Sequence, residues 1–279
     1  AAGRVAERDA HLLRDRRELV VEDFQLHRIR TRLQDAVLVG PRREFVVAMR
    51  RAALVVYLSG LSPAVDDGVD VAAAGHAFDV RDAVGLANEA SAGHDDAETH
   101  GDAGSHHGAD SHFWLDPTRL AELGTVLATR LGEVDPAGAP VYSANAAALE
   151  AELGVLDDEY SAGLAQCSSR VVVTSHAAFG FLADRYRLEQ SSITGLQPDA
   201  EPTATALADI TQLVRAERVT TVFTETLVSP AVARTLASET GTRVAVLDPL
   251  EGLVAGSTGD YQTIMRQNLA TLREGLGCQ

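Results

Sequence analysis

The side chains with the most chemistry in this chain are its histidines, and five of the nine lie between Gly93 and His112. That stretch, GHDDAETHGDAGSHHGADSH, also carries five carboxylates and almost nothing to bury. Neutral imidazole is the commonest side-chain ligand for zinc, copper and nickel, while Asp and Glu add ligand oxygens and concentrate cations. The composition therefore points to a divalent cation. Any one of these histidines reads more simply as part of a solvated acidic loop. Breaks at Gly93, Gly101 and Gly108, with no helical or strand periodicity, predict a flexible loop and not a preformed cage. His94, His100, His106 and His107 are accordingly expected to bind metal weakly and exchange it fast.

Further along, three short β-branched runs each lead into a residue that a cation can use. Arg170–Thr174 (RVVVT) leads to His176, Val219–Thr224 (VTTVFT) to Glu225, and Arg243–Leu247 (RVAVL) to Asp248. In parallel sheets ligands bind at the carboxyl ends of the strands, where loops converge. One such ending means little, since an N-capping Asp or a satisfied loop His is common; three in succession favour a site. With His112 at the base of the histidine-rich loop, they form a mixed imidazole and carboxylate set that suits zinc, manganese preferring more oxygen. Phe113 and Trp114 are expected to pack the loop base into the core and so fix His112. For Glu225 a structural role and a ligand role both stay open.

The elements that must position these residues are legible from Arg51 onward. Leu54–Leu58 (LVVYL), followed by Ser59 and Gly60, has the form of a buried parallel strand entering a loop. Asp116 and Pro117 open a helix as N-cap and first helical residue, with Leu120, Leu123, Val126, Leu127 and Leu131 on it. After a break at Asp135–Pro140, a longer helix is predicted from about Pro140 to Leu164, with Leu149, Leu153, Leu156, Tyr160 and Leu164 as its apolar stripe. It spans roughly 35 Å, enough to cross between two lobes. The spacers Phe179–Tyr186, Ala204–Ala216 and Pro230–Thr240 read as helical, which makes the tail a βαβ series with a parallel sheet. The fold class is α/β.

A chain of 279 residues, 46% hydrophobic, can bury one large core or two ordinary lobes. The formal charge of −16 makes nucleic acid and anionic membrane surfaces poor partners and favours cations. Residues 1–51 depart from that balance: twelve arginines against eight acids give about +4 there, and there is no lysine anywhere. A strand is possible around Leu19–Val21. No apolar run reaches the roughly 18 residues of a membrane span, and the sequence as given shows no signal core or lipid anchor. For Cys167 and Cys278 a disulfide and two separate buried thiols are equally open; a bond would remove roughly 4 to 5 kcal/mol of unfolded-state entropy.

Six motifs carry a resemblance. SHFWLDP (Ser111–Pro117), VVVTSHAAFGFLADRY (Val171–Tyr186), GLQPDAEPT (Gly195–Thr203), FTETLVSP (Phe223–Pro230), VLDPLEG (Val246–Gly252) and YQTIMRQNLATL (Tyr261–Leu272) resemble the metal-binding solute-binding proteins of ABC importers, cluster A-I, zinc branch. The resemblance runs from about Ala53 to Gln279. It implies two α/β lobes with parallel sheets flanked by helices, joined by a long rigid helix, with the metal held between them. The expected layout is an N-terminal lobe over 1–137, with the acidic histidine-rich loop at 93–111, a linking helix over 138–166 and a C-terminal lobe over 167–279. Carried over residue by residue, the resemblance implies His112, His176 and Asp248 as metal ligands, with Glu225 orienting a ligand imidazole. Histidine at 176 resembles the zinc branch, since manganese members tend to place Glu there.

The pattern departs upstream. The family places a further His in a PHD-type motif before the helix that leads into LVVYL, and this chain has QDAVLVGPR (Gln34–Arg42) there. Asp35 is the nearest oxygen donor in register, and His27 lies further upstream. Residues 1–45 are therefore atypical, of the kind a displaced reading frame produces, because the resemblance fails where the charge balance changes. The vacancy falls to Asp35, His27, a loop histidine or water.

The function so implied is extracytoplasmic capture of Zn2+, in the periplasm or at the cell surface, by a monomer that delivers it to the membrane permease of an ABC importer without turnover. Two readings compete with it. A zinc hydrolase also uses two His and one Asp around an open position, although no H-E-x-x-H helix is present and Glu225 is the one evident general base. A cytoplasmic metal buffer fits the missing signal.

Overall fold

A computed structural model describes residues 20–21, 43–86, 110–196, 200–226, 229–252 and 259–279. Two compact units divide the chain, Ala1–Val80 and Arg81–Gln279, and each has its own parallel sheet.

In the first unit the sheet order is β1 (Val20–Val21), β2 (Val55–Tyr57), β3 (Ala77–Asp79), all parallel. β2 lies within the expected LVVYL run, and Val20 and Val21 pair with Val55 and Val56. Helices α1 (Arg43–Arg51) and α2 (Pro63–Ala72) flank it. Met49, Ala52, Val55, Val65, Val69 and Ala73 close a small core between these elements. Loops at the strand ends are tied by Asp79, whose Oδ1 accepts from Ser59 N–H at 3.1 Å, and by His76, whose Nε2 bonds the Met49 carbonyl at 2.8 Å. A single turn, α3 (Val80–Ala83), follows β3.

The second unit begins, among the described residues, with a helix pair. The Asp116 Oδ1 accepts from Thr118 N–H at 2.8 Å and Pro117 occupies the first turn, so α4 (Pro117–Val134) starts where its cap dictates. The chain reverses at Asp135–Gly138 into α5 (Ala139–Gly163), about 37 Å long. Leu153, Leu156, Tyr160 and Leu164 are buried as the stripe requires, and Leu149 lies against Gly124 of α4. Burial of the Tyr160 hydroxyl is made tolerable by its donation to the Met265 carbonyl at 2.6 Å.

The sheet of this unit is ordered β5-β4-β6-β7 and parallel throughout, with β4 (Val171–Thr174), β5 (Glu189–Ser192), β6 (Thr221–Glu225) and β7 (Arg243–Leu247). Between them run α6 (Gly180–Arg185), α7 (Ala204–Ala216) and α8 (Ala231–Thr240), and α9 (Tyr261–Leu276) closes the chain. Three of the four strands match the β-branched runs. The fourth, β5, reads EQSS and escapes a hydrophobic pattern, because an edge strand need bury little and backbone pairing to β4 holds it. Val171, Val173 and Val222 face α7 and α8 through Ile210, Val214, Ala233 and Leu236, while Phe223 faces α9 at Gly275. Cys167 and Cys278 are disulfide-bonded, which fixes the end of α9 beside the start of β4. Among the described residues no helix is long and apolar enough to cross a membrane. The fold class is the expected α/β one.

Candidate metal centre

Each donor owes its place to an element end. His112 is the residue before a 3-10 turn, Phe113–Leu115, whose Phe113 and Leu115 are 2% and 0% exposed. That burial pins the turn and fixes the imidazole beside it; of the aromatic pair, Phe113 packs into the core as expected, whereas Trp114 is half-buried. His176 follows the central strand β4 by two residues and is fully buried. Glu225 is the last residue of β6, the neighbouring strand. Asp248 follows β7 directly, and Glu251 lies three residues further on.

Among the described residues, one group of metal-competent side chains converges: His112, His176 and Glu251, each offering one ligand atom within 4.8 Å of the others. Glu251 Oε1 sits 2.6 Å from His112 Nε2 and 3.2 Å from His176 Nε2. The two imidazoles meet edge to face with centroids 5.4 Å apart. Behind each ring stands a buried carboxylate. The Nδ1–H of His112 donates to Asp110 Oδ1 at 2.6 Å, and that of His176 donates to Glu225 Oε2. With Nδ1 so committed, both rings present Nε2 to the same point, the carboxylate–histidine arrangement that supports metal ligands.

The local field is strongly coupled. Burial, the largest influence on His112, disfavours its charge, yet its hydrogen bonds to Asp110 and then to Glu251 outweigh it and raise the pKa. The same balance at His176, with Glu225 and Glu251 as partners, raises it to about 9. Burial pushes Glu251 upward, and the two imidazoles more than reverse this, holding its carboxyl down at about 2. A zinc ion bound at about 2.0–2.1 Å from each donor needs tetrahedral donors about 3.3 Å apart, so it fits after a small opening of these contacts.

The structure brings His112 and His176 together as expected and places Glu225 on the ring of His176. It does not bring Asp248 into the group, although the sequence reading expected a ligand there. The Asp248 Oδ1 instead accepts from Leu250 N–H at 2.8 Å, closing the turn that presents Glu251. Glu251 and Asp110 were both missed; one shares the VLDPLEG motif with Asp248, and the other stands two residues before His112. His27, Asp35, His94, His100, His106 and His107 lie outside the described residues. Both Glu225 oxygens serve His176, Oε1 accepting its backbone N–H at 3.0 Å and Oε2 its ring N–H, so the one candidate general base for a hydrolase is already engaged.

Two imidazoles and a carboxylate converging beyond parallel strands, each ring backed by a buried acid, make a metal-binding α/β protein. A family model described as ZnuA, zinc-uptake complex component A, periplasmic, matches residues 17–275. The chain belongs to that family. It is 41% identical over 165 residues to the zinc-binding protein AdcA of Streptococcus pyogenes serotype M6, an alignment covering 57% of this chain and 32% of that protein. The chain thus spans about a third of the length of that curated relative. Among solved structures it is similar to the laminin-binding protein Lbp of Streptococcus pyogenes, with a TM-score of 0.72 and 30% identity over 85% of this chain and 87% of that one. It is also similar to the Zn(II)-bound ZnuA-like domain of Streptococcus pneumoniae AdcA, with a TM-score of 0.65 and 30% identity over 85% of both chains.

Proposed function

We propose that this chain captures Zn2+ outside the cytoplasm and delivers it, without turnover, to the permease of an ABC importer. The observation that carries the reading is the convergence of His112 Nε2, His176 Nε2 and Glu251 Oε1, with each ring oriented by a buried carboxylate. Family membership and the Zn(II)-bound neighbour support zinc as the cargo. Two nitrogens and one oxygen leave manganese, which prefers more oxygen, the poorer match. A fourth position falls to water or to a donor from segments outside the described residues, His27 and Asp35 included, and the loop histidines serve as an accessory that gathers zinc. The lobe layout read from sequence, with 138–166 linking 1–137 to 167–279, and the monomeric state belong to the same proposal.

Isothermal titration with Zn2+ and Mn2+ on wild type and His176→Ala tests it. Zinc is expected to bind the wild type more tightly than manganese and to lose at least tenfold in affinity in the variant. No zinc binding by the wild type at micromolar concentration contradicts the proposal.

A further inference from the structure

The segment that carries Glu251 leaves β7 under close control. Pairing between β6 and β7 ends at Glu225 and Leu247, so the sheet itself holds nothing beyond that point. Asn268, in the middle of α9 and 2% exposed, takes over one residue later. Its Oδ1 accepts from Asp248 N–H at 2.8 Å, and its Nδ2 donates to the Asp248 carbonyl at 2.7 Å. A buried amide among Ile264, Met265, Leu269 and Leu272 is costly unless satisfied, and here both its ends are satisfied by one residue's backbone.

The next two residues are held as well. The Pro249 carbonyl accepts from the indole N–H of Trp114 at 2.9 Å, and Leu250 N–H donates to Asp248 Oδ1. Leu250 has φ of 58°, in the left-handed region that side chains with a Cβ disfavour. Such a conformation persists where surroundings over-determine it, and it clusters at functional sites. Three consecutive residues are thus fixed immediately before Glu251. Trp114 is itself anchored, its carbonyl accepting from the Tyr261 hydroxyl at 2.7 Å, and it lies edge-on to His112 with centroids 5.2 Å apart.

We propose that Asn268 and Trp114 are positioning residues for Glu251: by clamping Asp248 and Pro249 they set its carboxylate against His112 and His176 and thereby set zinc affinity. This rests on the reading of those three residues as the zinc ligands. Neither clamp residue touches the metal; both act through the backbone that presents Glu251.

The test is a double-mutant cycle on the full chain, with zinc affinity read by competition against a chromophoric chelator. Asn268→Leu keeps the branching at Cγ and removes both hydrogen bonds. It is expected to weaken zinc binding about 10- to 100-fold in the wild-type background and less than about threefold beside Glu251→Gln. Equal losses in both backgrounds mean general structural damage and overturn the proposal. Should Asn268→Leu not fold, Trp114→Phe, which removes the bond to Pro249, goes through the same cycle with about a tenfold loss expected. Wild-type affinity in Glu251→Gln alone defeats the ligand assignment, whereas a weakened Glu251→Gln with additive losses defeats only the clamp.

Discussion

His176 and Glu225 stand 49 positions apart in the chain and meet through two hydrogen bonds, backbone N–H to Oε1 and ring Nδ1–H to Oε2. Adjacent parallel strands bring them together, β4 ending just before His176 and β6 ending on Glu225. The pairing leaves His176 Nε2 as the nitrogen that faces the centre. His112 reaches the same state by a local route, with Asp110 two residues upstream accepting from both its backbone and its ring.

Glu225→Gln follows directly. A side-chain amide can offer its N–H to Nδ1 and so favour the tautomer that protonates Nε2, the wrong one for a ligand. Zinc affinity is expected to fall about 10- to 100-fold, read by chelator competition, with the far-ultraviolet circular dichroism unchanged.

Zinc binding has to displace protons. Because the pKa of His176 is raised to about 9, its ring favours the charged form at neutral pH without metal, and the acids around His112 shift that ring in the same direction. Affinity therefore strengthens as pH rises from 6 toward 9 and weakens on acidification. Titration calorimetry in buffers of different ionisation enthalpy should report about one proton or more released per zinc at pH 7. Uptake of protons on binding runs against the account.

Gly275 lets α9 approach the sheet. A Cβ there falls 2.5 Å from the ring of Phe223, which is 1% exposed and has nowhere to move. Gly275→Ala gains up to about 1 kcal/mol in helix propensity and loses about 1–3 kcal/mol to overpacking. Thermal denaturation should show a net fall of a few degrees.

The Cys167–Cys278 bond closes a separation of 111 residues. In the chain-entropy model its removal costs roughly 4 to 5 kcal/mol. Paired Cys→Ser substitution should lower Tm by roughly 10 °C or more. The metal centre lies at the opposite, carboxyl ends of the strands, so zinc affinity measured well below Tm should stay within about twofold.

Much of this was legible in the sequence because its physics is local. Asp116-Pro117 announces a capped helix, the stripe through Leu153 and Tyr160 announces a packed one, and β-branched runs announce β4, β6 and β7. His176 and Glu225 stood out because they sit at strand ends. Glu251 was not, because its place depends on a turn through Leu250 at positive φ, a conformation that no residue type there foretells. Asp248, nearer the strand, drew the assignment instead. The role of Asn268 was hidden for a related reason: a polar residue inside an amphipathic helix shows its purpose only when the peptide opposite it is known. Asp110 was counted among the acids of the histidine-rich stretch, where nothing but burial sets it apart.

Under the proposal, Zn2+ is held by His112, His176 and Glu251. Anomalous diffraction from zinc-loaded crystals, recorded on both sides of the zinc edge, tests it most directly. One strong peak is expected about 2.0–2.2 Å from Nε2 of both histidines and from a carboxylate oxygen of Glu251. A peak coordinated by Asp248 in place of Glu251, or zinc confined to the 93–111 loop, contradicts it.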